Sequence, residues 1–132
     1  MSEETDRSKR GKAILDSLHP DAFAAVQDAM ADIAPDFADY IRDFAFGDIY
    51  GRDGLALRDR QITTIAALAA IGNAAPQLKV HIKAGLRVGL TRQEIVEILM
   101  QMAVYAGFPA AINGLAVAKE AFAELDEVPP AP

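Results

Sequence analysis

The chain has 132 residues, enough for one domain that buries about two-thirds of the surface its unfolded form exposes. Its net charge of −6 argues against a nucleic-acid partner, which needs a basic face to displace counterions. The absence of cysteine excludes disulfides, thiolate metal sites and thiol catalysis. Hydrophobic residues make up 52%, Ala is frequent, and Gly and Pro gather at apparent corners, a pattern of packed helices rather than strands. No apolar run reaches the length of a membrane span, and the N-terminal MSEETDRSKRGK lacks the apolar core of a signal peptide. A cytoplasmic, all-α protein with no membrane contact is expected.

Residues 1–19 read as an N-terminal segment that starts disordered and becomes a short helix ending near Leu18. Pro20 suits the first turn of the next helix, where its missing N–H costs nothing, and Phe23, Val26, Met30 and Ile33 follow at helical spacing. Ala34-Pro35 interrupts that pattern. A further helix carries Phe37, Tyr40, Ile41 and Phe44 on one face, with Gly47 as its expected stop. Asp48 to Gly54 (DIYGRDG) then forms the longest polar loop.

The run LRDRQITTIAALAAI, from Leu57 to Ile71, predicts a strongly apolar helix closed by Gly72, with Ile62, Ile65, Ala66, Leu68 and Ala69 on its buried face. Arg58 and Arg60 stand at its N-terminal end, where cations do not complement the helix dipole. That leaves two readings: they hold an anion, or they pair with Asp59 or a neighbouring acid. The next helix spans roughly Ala75 to Val88 and stops at Gly89, burying Leu78, Ile82, Gly85 and Leu86. His81 lies beside that stripe, either as a packed shoulder residue or as a functional one. Thr91 and Glu94 have capping-box spacing ahead of a helix that buries Ile95, Ile98, Leu99 and Met102. Glu97, Gln101, Val104 and Tyr105 form a second stripe on an adjacent face. Gly107 and Pro109 open the last helix, with Ile112, Leu115, Ala116, the stem of Lys119 and Phe122 expected inward. The proline-rich tail, 126–132, is expected to be loose. His19 reads as a helix-end or loop residue, the two histidines do not make a metal site, and no serine is placed to act as a nucleophile.

Three stretches carry a resemblance to a known family: Arg58-Asp59-Arg60 before the Ala/Leu-rich helix, Leu78-Lys79-Val80-His81 followed by Gly-Leu-Thr-x-x-Glu-Ile-x-Glu, and Tyr105-Ala106-Gly107-Phe108-Pro109-Ala110-Ala111. Over residues 20–125 the chain resembles the carboxymuconolactone decarboxylase family. The resemblance implies an alkylhydroperoxidase D-like fold: an all-α, single-domain bundle of about six helices, assembled as a homo-oligomer, a hexamer or a trimer. The peroxidase branch of that fold uses Cys-x-x-Cys-x-x-x-His. Its histidine corresponds to His81, but Ala74 and Gln77 occupy the cysteine positions and Ile62 that of its upstream glutamate, so thiol peroxidase chemistry is disfavoured.

The decarboxylase branch implies loss of CO2 from a carboxylated lactone or related oxo acid without any cofactor or metal. The lactone carbonyl is conjugated to the departing carboxylate and accepts its electrons as a dienolate, which is then protonated on carbon. On this resemblance His81 is the general acid, with Glu97 orienting its ring or raising its pKa, both counted as catalytic. Arg58, Arg60, Gln101 and Tyr105 would bind the carboxylate substrate and its developing oxyanion. Many decarboxylases of the family carry histidine where Gln101 stands, and glutamine donates a hydrogen bond but exchanges no proton. The alternative is a non-catalytic oligomer of the same fold that binds a small acid or serves as a scaffold.

Overall fold

The computed structural model describes residues 4–127, all of whose regular structure is helical. The chain forms two compact units that divide between Leu57 and Arg58.

The first unit holds α1 (Asp6–Leu18), α2 (Ala22–Met30) and the short α3 (Phe37–Tyr40), which continues as a π-helix over Ile41–Tyr50. The Thr5 hydroxyl caps α1 by accepting the Ser8 N–H at 3.2 Å. Order therefore begins earlier than the charge-rich sequence suggested. Pro20 lies in the turn before α2 rather than within its first helical turn, and Asp21 takes the cap position. Gly47 does not stop its helix, which runs on to Tyr50 and shortens the expected polar loop. Its lack of a side chain is used differently: a methyl there would strike the Arg7 carbonyl, and one at Gly11 would strike that of Arg42. The two glycines let α1 and the π-helix approach backbone to backbone. Leu15, Leu18, Ala38 and Phe46 are buried in this unit, with His19 buried edge-on to Phe46. Ser8 donates to Asp43 at 2.8 Å, and the Arg42 guanidinium at 2.7 Å holds the Asp43 carboxyl below its usual pKa.

The second unit holds α4 (Leu57–Ile71) from its second residue on, with α5 (Ala75–Arg87), α6 (Arg92–Tyr105) and α7 (Phe108–Glu127). Gly72, Gly89 and Gly107 carry φ of 79°, 104° and 97° at the three corners, a conformation that any side chain would strain. Ile65, Ala69, Leu78, Ile82, Leu90, Ile95, Leu99, Ala118 and Ala121 form one continuous core. At about 1.5–3 kcal/mol for each large aliphatic side chain, this burial is the main favourable term holding the four helices together.

The face that α7 turns inward differs in part from the expected one, since Leu115 and Phe122 do pack against the core. Ala111, Gly114, Ala118 and Ala121 are buried, whereas Ile112 is 62% exposed and Ala116 and Lys119 face outward. The reason is distance. A Cβ on Gly114 would lie 2.9 Å from Leu99 Cδ2 and 3.5 Å from Ala69 Cβ, so α7 packs too closely for large residues on that side. Lys79 and Lys83 on α5 reach Glu120 and Glu124 on α7, and Arg92 at the start of α6 reaches Asp126. Residues 128–132, most of the tail expected to be loose, lie outside the described residues, while Asp126 and Glu127 complete α7. No helix among the described residues is long and apolar enough to cross a membrane.

Candidate active site

Every candidate residue belongs to the second unit. α5 begins with Pro76 in its first turn and presents Leu78 and Ile82 to the core. His81, between them on the helix surface, is thereby drawn into a half-buried position. Its Nδ1 lies 3.1 Å from Oε1 of Gln61, in the second turn of α4. Burial pushes the imidazole pKa down to about 4, because desolvation penalises the charged ring. At neutral pH His81 is uncharged.

A second pair joins α4 to α6. Thr91 and Glu94 form the expected capping box: the Thr91 hydroxyl accepts the Glu94 N–H and the Glu94 carboxylate accepts the Thr91 N–H, each at 3.0 Å. The Glu94 carboxylate also receives the Arg58 guanidinium. The Thr91 backbone bond, with Arg58 added, holds Glu94 below the usual carboxylate range. Arg58 also lies 3.5 Å from Asp59. Arg58 is thus paired with two neighbouring acids. Arg60 is half-buried two residues on.

Glu97, Gln101 and Tyr105 lie on the exposed side of α6, with Tyr105 79% exposed. Glu97 accepts from Gln93 at 3.0 Å, one turn earlier on the same helix. Met100, Val104 and Tyr105 on α6, with Phe108 and Ile112 on α7, are large apolar residues left 51–79% exposed around the Gly107 corner. Among the described residues no group of three or more His, Asp or Glu converges to hold a metal ion.

The model of the carboxymuconolactone decarboxylase family matches residues 35–120, a span that takes in parts of both units. The chain belongs to the carboxymuconolactone decarboxylase family. It is 35% identical over 98 residues to the 4-carboxymuconolactone decarboxylase of Acinetobacter baylyi, covering 74% of this chain and 72% of that one. An uncharacterized 15.0 kDa protein of Paracoccus denitrificans is 34% identical over 100 residues, 75% of each chain. The nitrosuccinic acid decarboxylase of Metarhizium robertsii is 31% identical over 81 residues, 61% of this chain and 55% of its own. In this family member, the residue that sequence reasoning passed over is Gln61. It stands among Arg58, Asp59 and Arg60, where a further polar residue reads as solvated, yet it shares the buried face of Ile65 and Ala69 at i, i+4, i+8.

Proposed function

We propose that the protein is a cofactor-independent decarboxylase acting on a small carboxylated lactone or related oxo acid, with His81 as the acid that protonates the dienolate. Kinship with two proteins named as decarboxylases gives the reaction class. The observation that carries the assignment of the acid is the placement of His81, a half-buried imidazole hydrogen-bonded to Gln61 in the helical unit. The substrate supplies its own electron sink. The C–CO2 bond breaks, its electron pair passes through the ring double bond to the lactone carbonyl, and a proton is then added to carbon. Because the free imidazole is neutral, the proton is taken up with the substrate, whose carboxylates raise the pKa of a nearby imidazole.

In this reading Arg58 or Arg60, at the N-terminal end of α4, binds the remaining carboxylate. Gln101 and Tyr105 donate to the developing oxyanion. Glu97 is left outside the chemistry: a carboxylate against the ring would raise the His81 pKa, whereas burial has lowered it. We also propose a homo-oligomer, which would cover the apolar corner of α6 and α7.

Purified protein mixed with 4-carboxymuconolactone should consume its ultraviolet absorbance, and His81→Ala should slow the loss by at least about 100-fold. Equal rates for the two proteins would remove His81 from the mechanism. Gln101, which donates a hydrogen bond but exchanges no proton, favours a second reading as a small-acid-binding module. That reading gives no turnover but a saturable rise in Tm with the lactone or a related dicarboxylate.

A further inference from the structure

Gln61 is out of place by every rule of packing. It is 0% exposed and lies on the same helical face as Ile65 and Ala69, which are 0% and 3% exposed. An apolar side chain there would extend the core without loss. A buried amide costs free energy for each group left unpaired, and Nε2 of Gln61 has no hydrogen-bond partner among the described residues. The other end of the amide makes one contact, Oε1 to His81 Nδ1 at 3.1 Å across the α4–α5 interface. A residue whose single polar contact is a histidine ring, in a position that favours leucine for stability, is placed for the ring rather than for the core.

We propose that Gln61 is a positioning residue that holds His81 as the Nδ1–H tautomer, so that all proton exchange runs through Nε2. This rests on the reading of His81 as the proton donor. A carboxamide oxygen only accepts, so the ring nitrogen facing it carries the hydrogen and Nε2 carries the lone pair. The bond survives the catalytic cycle. When Nε2 gains a proton the ring becomes a cation, and Nδ1–H still donates to Oε1. When Nε2 gives its proton to the dienolate carbon, the electron pair left on Nε2 restores the neutral tautomer. Neither step needs the ring to turn.

The test uses the full chain, labelled with nitrogen-15 in its histidines, and reads the two ring nitrogens of His81 by long-range nitrogen–proton correlation at neutral pH. The expected wild-type spectrum has a protonated Nδ1 and an unprotonated Nε2. Gln61→Leu, which suits the surrounding aliphatic face, should move the ring toward the Nε2–H form, and Gln61→Glu should restore Nδ1–H. A wild-type ring protonated at Nε2, meaning that the amide nitrogen donates instead, overturns the proposal without any variant. So does a tautomer unchanged in Gln61→Leu. With the lactone, Gln61→Leu should lower kcat about 10-fold to 100-fold with KM little changed, and Gln61→Glu should recover most of that loss. Absence of turnover in the wild type together with the expected spectra would sink the decarboxylase reading and leave the assignment of Gln61 standing. Turnover with kcat unaltered in Gln61→Leu would sink the positioning role alone.

Discussion

At the scale of single residues, the unit is defined by what it does to one imidazole. Taking the His81 ring out of water disfavours its charged form, and nothing in the hydrogen bond to a neutral amide compensates. The folded-state pKa is about 4, against 6.5 for an imidazole in water. Between those two values the unfolded chain binds more protons than the folded one, so the contribution to stability is complete above pH 6.5 and is lost as the pH falls toward 4. The shift sets an upper bound of roughly 3 kcal/mol, and the true figure is smaller because a half-buried ring is partly rehydrated when it ionises. The urea midpoint of the wild type should therefore drop between about pH 7.5 and about pH 5. In His81→Gln that drop should be shallower, since the carboxylates contribute equally to both proteins. Parallel curves for the two would mean that the buried titration belongs to another group.

At the scale of elements, the ends of the helices were legible from sequence and their phases less so. Leu57 and Ile71 bound α4 as read, the Thr91–Glu94 box opens α6, and Gly72, Gly89 and Gly107 mark the corners. These signals are local: a cap or a left-handed glycine is decided by a few neighbouring atoms. The inward face of α7 was legible only at Leu115 and Phe122, because Ala is spread around that helix and periodicity has little contrast. The decision falls to how closely α4 and α6 approach, which puts Gly114 against Leu99 and turns Ile112 outward. Gln61 is not legible for the opposite reason, since a polar residue among Arg58, Asp59 and Arg60 reads as exposed. Within the site, His81 was found and its partner was not. Loss of the α6 cap gives a measurable consequence at this scale. Thr91→Ala should cost about 1 kcal/mol, lowering Tm by a few degrees, while far-ultraviolet circular dichroism keeps its helical shape. An unchanged Tm would mean that Arg58 and the remaining Glu94 contact hold the helix end without the hydroxyl.

For the whole molecule, the question is what covers the corner between α6 and α7. Val104 is 75% exposed, Tyr105 79%, Phe108 73% and Ile112 62%, all within two turns of Gly107. Single exposed apolar residues are ordinary on a monomer, whereas a cluster of this kind is the type of surface that assemblies bury. Burying such side chains is worth about 1.5–3 kcal/mol each, more than enough together to offset the ordering of a few side chains on association. A charge placed at the centre of the patch would have to be desolvated in the assembled state and would be harmless in an isolated chain. Ile112 is the suitable position, because it takes no part in the core of its own unit. In light scattering coupled to size exclusion, the wild type should run as a multiple of the 14.1 kDa chain and Ile112→Arg as a smaller species, with Tm measured alongside to show that the fold persists. A wild type that elutes at the mass of one chain at micromolar concentration would remove the homo-oligomer and leave the corner to a different partner. If the variant dissociates and loses turnover together, the exposed Gln101 and Tyr105 on the same side of α6 work only when a second copy closes over them. Dissociation with turnover intact would make each chain a complete catalyst.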